Sequence, residues 1–351
     1  MITFSSAPAL ETPAHPVGRR TLELIDSARN ARSLTVDIWY PAVLADEPRA
    51  RYEVLPSVAF EAAVARDRPV VAGGRYPLIL LSHGRTGMRF AYSLLCEALA
   101  ARGNIVVSAD HPGDALMDWL SGTFVDDRTN EMGRVGDARF LLDVLLTADR
   151  SSTIVPSDVL DAIDTERVVA IGHSYGAYTA LATAAGARGV PADTRLRAVI
   201  GLQPFTRTMS DNALARVTVP TLLVISEHDT TTPGAIDGDR PWLLVGGNPV
   251  WRMDLGSASH HASSDMGLYL ELAGQIPDLP PMVTAYVAMM APDMIGPHIR
   301  PWREGLVLVV GAIGAFLDVA LGIDSPRGLA EADHLAATAD VTLRRRAAVS
   351  R

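Results

Sequence analysis

Residues 167–176 read Arg-Val-Val-Ala-Ile-Gly-His-Ser-Tyr-Gly, and this stretch decides the fold. Its apolar half is typical of a strand buried on both faces of a parallel sheet, and a run of small residues suited to a helix follows it. The Gly172-x-Ser174-x-Gly176 spacing matches the nucleophile elbow, a sharp strand-to-helix turn that lifts a serine hydroxyl above a sheet. Side chains at the two glycine positions would collide with neighbouring backbone. The stretch therefore predicts Ser174 as a nucleophile.

Strand-like and helix-like segments alternate on both sides of this elbow. Short apolar runs between turn residues predict buried strands at 78–81, 105–107, 198–202, 222–225 and 250–255. Helical patterns lie at 92–102, 136–147 and 175–185. The alternation predicts an α/β fold, with a mostly parallel central sheet and helices on both faces, in one domain over 1–351.

Three segments depart from this alternation. Residues 20–25 and 34–40 alternate apolar and polar side chains, which predicts an antiparallel pair with one solvated face. Residues 41–74 show no clear period, so we expect a long loop with a helical turn. Residues 265–303 are rich in Met, Pro and Ala and fit either a cap or lid over the site or an ordinary packed loop with a short helix.

Composition excludes several classes of protein. The 351 residues are 48% hydrophobic, enough for a sizeable core, and the net charge of −9 argues against a nucleic-acid partner. The single cysteine, Cys96, excludes an intrachain disulfide and a metal site built on several thiolates. The apolar stretch 305–323 contains Asp318 and four glycines, which favours a buried helix over a membrane span. The N-terminus lacks the pattern of a secretory signal, so we expect a cytoplasmic protein, or a secreted or periplasmic one whose signal peptide has been removed.

The loop after the first buried strand is the candidate oxyanion hole. It reads Leu-Ser-His-Gly-Arg over 81–85. In elbow-type sites this loop supplies one backbone N–H and the residue after the nucleophile supplies the other. Those donors would be the main chains of Arg85 and Tyr175, while Gly84 would let the backbone approach the substrate carbonyl. The Arg85 side chain would either meet an anionic substrate group or stay in solvent.

The acid and base should follow the nucleophile in the order Ser, Asp or Glu, His. Asp229, in a turn-like Asp-Thr-Thr-Thr-Pro segment after a buried strand, is favoured over Glu227. His260 follows the next strand in a loop of small residues and is favoured over the adjacent His261. Asp265 would support the loop. A metal site on the two histidines and Asp265 is the disfavoured alternative, because adjacent histidines rarely converge on one ion.

The motifs together resemble the platelet-activating-factor acetylhydrolase-like branch of the α/β-hydrolases, whose bacterial members are often described as dienelactone hydrolases. The resemblance is carried by Pro-Val-Gly-Arg-Arg from position 16, by Ser-His-Gly from 82, by Asp-His-Pro-Gly-Asp from 110, by the elbow, and by Ser-Ala-Ser-His ending at His260. It spans residues 16–336, is weakest in 41–74 and 265–303, and includes a closing helix at 311–321. It implies hydrolysis of short-chain or oxidised acyl esters of lipids and of small synthetic esters, without a cofactor. True dienelactone hydrolases use a cysteine nucleophile where this chain has Ser174, and cutinase-like polyester hydrolases, which share much of the core, carry cysteine pairs that are missing here.

The resulting hypothesis is a serine carboxylesterase acting on short- to medium-chain esters of small molecules or lipid-like substrates. A lactonase, amidase or polyester hydrolase would use the same residues, and the 265–303 segment would decide between them: a closed cap favours small soluble esters, an open cleft favours polymers. A non-catalytic binding protein on this fold is the remaining alternative, although such relatives usually lose one residue of the catalytic triad, here Ser174, Asp229 and His260.

Overall fold

The computed structural model describes residues 2–5, 8–55, 58–147, 154–276 and 279–346. Within these residues the chain forms one mixed sheet flanked by helices. The strands are β1 (Ile2–Phe4), β2 (Val17–Asp26), β3 (Arg32–Val43), β4 (Arg49–Leu55), β5 (Val58–Asp67), β6 (Val70–Val71), β7 (Tyr76–Ser82), β8 (Ile105–Ala109), β9 (Ile163–His173), β10 (Leu196–Leu202), β11 (Thr221–Ser226), β12 (Val250–Leu255) and β13 (Val341–Arg346). The helices are α1 (Ser93–Ala101), α2 (Leu116–Ser121), α3 (Asp127–Leu145), α4 (Ser157–Ala162), α5 (Tyr175–Ala185), α6 (Asp211–Ala215), α7 (Asp239–Leu244), α8 (Met266–Ala273), α9 (Pro281–Met290), α10 (Trp302–Ala320) and α11 (Ser325–Ala336).

The centre of the sheet is parallel and its margins are mixed. Strands β8, β7, β9, β10, β11 and β12 lie side by side, and their pairings with one another are parallel. On one side β3 pairs antiparallel with both β8 and β2, and on the other β13 pairs antiparallel with β12. The predicted fold class is therefore confirmed, including the antiparallel pair near the N-terminus.

The apolar runs of the central strands are continuous because both faces are covered. Along β9, Val169 and Ile171 pack into the cluster that contains α1 and α10, whereas Val168 and Ala170 pack into the cluster that contains α3 and α5. Most of the apolar stretch 305–323 lies in α10, and most of its residues in that helix are buried. Among the described residues, no helix combines the length and hydropathy that crossing a membrane requires.

The loop predicted for 41–74 is wrong: β4 and β5 form a hairpin there, and β6 pairs with β3. The hairpin is held by a contact from a distant helix. Glu97 of α1 is buried and accepts hydrogen bonds from the backbone N–H groups of Val64 and Ala65, at 2.5 and 3.0 Å, and from the Tyr52 hydroxyl at 2.8 Å. Because a side chain far along the chain satisfies these groups, the local pattern of the segment could not reveal the strands.

Asp265 joins the 265–303 segment to helix α1. Its buried carboxylate accepts hydrogen bonds from Ser93 Oγ at 2.5 Å and from the Leu94 N–H at 3.3 Å, at the first turn of α1, and α8 begins at the next residue. Its own N–H donates to the carbonyl of Ala91 at 2.9 Å. Burial raises the pKa of Asp265 to about 7 although these hydrogen bonds act to lower it.

This pKa predicts the direction in which stability changes with pH. The folded state keeps the Asp265 proton to about pH 7, whereas the unfolded chain releases it near pH ~4. The free energy of unfolding should therefore fall as the pH rises between these values, on the order of a few kcal/mol in total. Asp265→Asn should remove this loss, so urea unfolding at several pH values should show wild type losing stability relative to the variant from pH 4 to pH 7.

Asp126→Asn supplies the control of opposite sign. Asp126 caps α3, and hydrogen bonds from Thr129 lower the pKa of its carboxyl. Its contribution to stability should therefore grow as the pH rises. A wild-type advantage over Asp265→Asn that stays constant or grows toward pH 7 would contradict the prediction for Asp265.

Candidate active site

The turn at Ser174 is strained, and the two flanking glycines make it possible. Ser174 has φ 53° and ψ −119°, a conformation rarely adopted by non-glycine residues. A Cβ at Gly172 would overlap the carbonyl of Gly176, and a Cβ at Gly176 would overlap the carbonyl of Ser82 at the end of β7. The elbow therefore lies directly against the loop that follows β7.

Ser174, His260 and Asp229 form one chain of hydrogen bonds. His260 Nε2 lies 2.9 Å from Ser174 Oγ, and His260 Nδ1 lies 2.8 Å from Asp229 Oδ2. All three residues are buried, Ser174 with 8% of its surface exposed. The structure thus brings together the three residues that the sequence singled out from separate loops after β9, β11 and β12, in an arrangement suited to nucleophilic attack assisted by an imidazole.

The loop after β11 holds the Asp229 carboxylate in place. Asp229 Oδ1 accepts hydrogen bonds from the backbone N–H groups of Thr231 and Thr232, at 2.9 and 2.7 Å, and Oδ2 accepts the Thr232 hydroxyl at 2.7 Å. Burial acts to raise the pKa of Asp229, but the hydrogen bonds from His260 and Thr232 outweigh it and the net pKa is lowered. Asp229 is therefore an anion beside His260. Sequence reasoning missed Thr232, although Asp-Thr-Thr-Thr is typical of a turn closed by its own aspartate.

The residues considered as alternative acid, base or metal ligands lie outside the chain of hydrogen bonds from Ser174 to Asp229. Glu227 is exposed and accepts the backbone N–H of Ser257 at 2.9 Å, so it supports the loop before His260 from outside. His261 lines the pocket above Ser174, and the centre of its ring lies 5.2 Å from the centre of the His260 ring. Both nitrogens of His260 face Ser174 and Asp229, and Asp265 bonds to α1, so these side chains do not converge on one point.

The loop after β7 is oriented through the carbonyl of Gly84. This oxygen accepts hydrogen bonds from the Gly87 N–H at 3.1 Å and from Arg134 Nη2 at 3.3 Å, while Arg134 Nη1 donates to the His83 carbonyl at 2.7 Å. In a trans peptide the C=O and the following N–H point in opposite directions. The N–H of Arg85 therefore points away from Arg134, and Arg85 lines the same pocket as Ser174.

The guanidinium of Arg85 is exposed to solvent, as one of the two expectations had it, and it is also engaged in ion pairs. Arg85 Nη2 lies 2.5 Å from Asp127, and Arg85 Nε lies 3.3 Å from Asp114. The group also stacks over the Tyr175 ring at 5.0 Å. Asp114 is fully buried and pairs with the fully buried Arg134 at 2.7 Å. Arg85 and Arg134 thus bind different oxygens of the Asp114 carboxylate, and both contacts stabilise the loop after β7.

A second chain of hydrogen bonds connects the three loops of the site. The Gly84 N–H donates to Tyr92 Oη at 3.1 Å, and the Tyr92 hydroxyl donates to His173 Nδ1 at 2.8 Å. His173 Nε2–H then donates to the carbonyl of His260 at 2.7 Å. Burial, aided by His260, lowers the pKa of His173 to about 3, so the ring is neutral as this pattern requires. Sequence reasoning missed Tyr92, because nothing local to it signals a contact with the elbow.

The pocket over Ser174 is lined by both polar and apolar side chains. Ser174, His173 and His260 are among its polar residues, and Tyr286, Met289 and Met290 of α9 also line it. The described part of the 265–303 segment, with α8 and α9, therefore forms a cap that covers the site on one side. Among the described residues there is no group of three or more His, Cys, Asp or Glu side chains suited to hold a metal ion.

Comparison with known proteins points to esterases. Residues 68–261 match the sequence model of a family described as "PETase: PET hydrolase-like", and this range contains Ser174, Asp229 and His260. The chain is similar to the platelet-activating factor acetylhydrolases of Cavia porcellus (24% identical over 191 residues) and Canis lupus familiaris (26% over 195 residues). Each alignment covers 46% of this chain and 42% of the relative, so the chain spans less than half the length of the curated relatives it matches.

A solved structure agrees over a longer range. A ferulic acid esterase from Streptomyces cinnamoneus superposes with a TM-score of 0.65 at 25% sequence identity. The superposition covers 89% of this chain and 92% of that esterase. The resemblance inferred from the motifs is therefore confirmed at the level of family and fold.

Tyr92→Phe tests the chain of hydrogen bonds from Gly84 to His260. The variant leaves Gly84 N–H and His173 Nδ1 without their partner, which should lower the free energy of unfolding by about 1–3 kcal/mol. Because His173 and Gly84 orient the elbow and the loop after β7, labelling of Ser174 by a small fluorophosphonate probe should slow by roughly ten- to a hundredfold.

Tyr40→Phe is the matched control for Tyr92→Phe. It removes a buried hydroxyl that donates to the Pro69 carbonyl at 2.8 Å, outside both the chain that connects the three loops and the walls of the pocket. It should lower stability without slowing the labelling of Ser174. Equal labelling rates in the two variants would show that Tyr92 contributes to stability alone.

Proposed function

Since the chain belongs to the PET hydrolase-like family of α/β-hydrolases, we propose that it is a serine carboxylesterase that hydrolyses short- to medium-chain esters of small molecules. The observation that carries the proposal is the continuous chain of hydrogen bonds from Ser174 through His260 to Asp229. The similarity of the chain to acetylhydrolases and to a ferulic acid esterase also supports the proposal.

The proposed reaction begins at Ser174 Oγ. His260 Nε2 takes the hydroxyl proton as Oγ attacks the ester carbonyl carbon, and the carbonyl oxygen becomes an oxyanion. The imidazolium then gives its proton to the leaving alcohol oxygen as the C–O bond breaks, which leaves an acyl group on Ser174. Water repeats the two steps and releases the acid. The buried Asp229 anion stabilises the imidazolium and fixes its orientation.

The oxyanion would be held by the N–H groups of Arg85 and Tyr175. Tyr175 is the first residue of α5, where a helix leaves its N–H without an intrahelical partner. In the loop after β7, the neighbouring N–H groups of Gly84 and Thr86 donate to Tyr92 and to the Asp114 carbonyl, and Arg85 is the residue between them. Loss of one such donor typically costs about 3–4 kcal/mol of transition-state stabilisation.

The cover over the site favours small esters over polymers. Tyr286, Met289 and Met290 of α9 line the pocket above Ser174, so a substrate chain that extends in both directions along the surface would meet the cap helix. Lactones and amides need the same groups, and the chemistry of the triad does not separate them from esters.

Ser174→Ala tests the nucleophile. On p-nitrophenyl esters from acetate to palmitate, kcat/KM should fall by at least about a thousandfold, because the oxyanion donors and substrate contacts alone leave only residual catalysis. The circular dichroism spectrum should be unchanged. Full activity in Ser174→Ala would reject the nucleophile, and a wild type inactive on every ester in the series would reject the esterase.

His260→Ala and His261→Ala form a matched pair of imidazole deletions in the same pocket. His260→Ala should lower kcat/KM by at least about a thousandfold, since no other imidazole nitrogen lies within hydrogen-bonding distance of Ser174 Oγ in the described residues. His261→Ala should retain most of the wild-type kcat/KM. The reverse ranking would assign the base to His261.

A further inference from the structure

A second pocket adjoins the one that contains Ser174, and it is almost entirely apolar. The two pockets share part of their walls. The shared residues are Thr86, Gly87, Ala91, Met266, Tyr269 and Tyr286. The apolar pocket therefore lies directly beside the space above the nucleophile.

Three elements around the sheet edge build the apolar pocket. The β4–β5 hairpin contributes Val54 and Phe60, α2 contributes Leu116, and the cap contributes Leu272 and Val283. The two tyrosines in its wall have their hydroxyls engaged elsewhere: Tyr269 donates to the Phe90 carbonyl at 3.0 Å, and Tyr286 lies 3.4 Å from Thr86 Oγ1. The pocket thus presents carbon surface, which favours a hydrocarbon chain and provides no recognition for a charged group.

The position of the imidazole decides which half of an ester enters this pocket. His260 must protonate the leaving alcohol, so the alcohol lies on the imidazole side of Ser174 and the acyl group on the other. His260 and His261 line the Ser174 pocket and are absent from the wall of the apolar one. The shared wall instead contains Thr86 and Gly87, which follow the proposed oxyanion donor Arg85.

We infer that the apolar pocket between the β4–β5 hairpin, α2 and the cap binds the acyl chain of the substrate, and that the substrates are esters of medium-length unbranched carboxylic acids. The inference rests on the proposed esterase function. Each methylene that enters the pocket should raise kcat/KM by roughly two- to fourfold until the pocket is full. In a series of ethyl esters, the kcat/KM of wild type should therefore rise from acetate toward octanoate.

Two isomeric esters separate the acyl side from the alcohol side without any variant. Ethyl octanoate and octyl acetate have the same composition and differ only in which half carries the chain. At concentrations where both are dissolved, wild type should hydrolyse ethyl octanoate with the higher kcat/KM, by roughly tenfold or more. A preference for octyl acetate would overturn the inference.

Ala273→Trp fills the pocket from the half-buried end of α8. It should lower kcat/KM for ethyl octanoate by roughly tenfold or more and leave ethyl acetate unaffected, because only the long chain competes with the indole for space. Ala288→Trp is the matched control, since Ala288 is exposed on α9 and lines neither pocket. It should retain the wild-type profile.

The outcomes separate this inference from the esterase itself. Ser174-dependent hydrolysis of ethyl acetate with no gain for longer acyl chains would reject the acyl pocket and keep the esterase. An equal loss on ethyl acetate and ethyl octanoate in Ala273→Trp, with the control unchanged, would also reject it. Absence of Ser174-dependent hydrolysis of any ester would reject the proposed function and this inference with it.

Discussion

The close packing of the Ser174 turn against the end of β7 is the constraint on which the site depends. Gly172 and Gly176 leave no room for a Cβ, so the backbones of the elbow and of the Ser82–His83 segment touch. The Ser174 N–H donates to the Leu202 carbonyl at 2.9 Å and its carbonyl accepts the Phe205 N–H at 3.0 Å, so β10 holds the turn from the other side. These contacts offset a backbone strain of roughly 1–3 kcal/mol and keep the hydroxyl, the α5 N-terminus and the loop after β7 next to one another.

Buried carboxylates then fix the loops that this packing brings together. Asp229 orients His260, and Asp114 holds Arg134, whose guanidinium binds the carbonyls of His83 and Gly84. A buried ion pair contributes little net stability, whereas removal of one partner costs about 3–5 kcal/mol because the other charge stays buried. The value of the Asp114–Arg134 pair to this molecule is therefore geometric: it determines which way the peptide between Gly84 and Arg85 faces.

The central sheet could be read from the sequence because each strand carries its own signal. A continuous apolar run such as that of β9 needs cover on both faces, and helices with small or apolar faces stand between the strands. The order of Ser174, Asp229 and His260 along the chain was likewise readable, since each follows a strand; their catalytic roles stay predictions. Tyr92 could not be found in this way, because its hydroxyl acts on His173, 81 residues further along the chain.

The two segments that resisted prediction, residues 41–74 and 265–303, both line the apolar pocket, and the pocket is a second physical cause of the difficulty beside the distant Glu97 contact. A core strand or helix reveals its period because one set of side chains packs and the other is solvated or packs on a second layer. In the β4–β5 hairpin and the cap, some apolar side chains face the pocket instead: Phe60 of β5 and Tyr269 of α8 pack on each other with ring centres 5.9 Å apart and also form its wall. Their apolar character serves the hairpin, the cap and a bound chain at once, so it cannot follow the period of any single element.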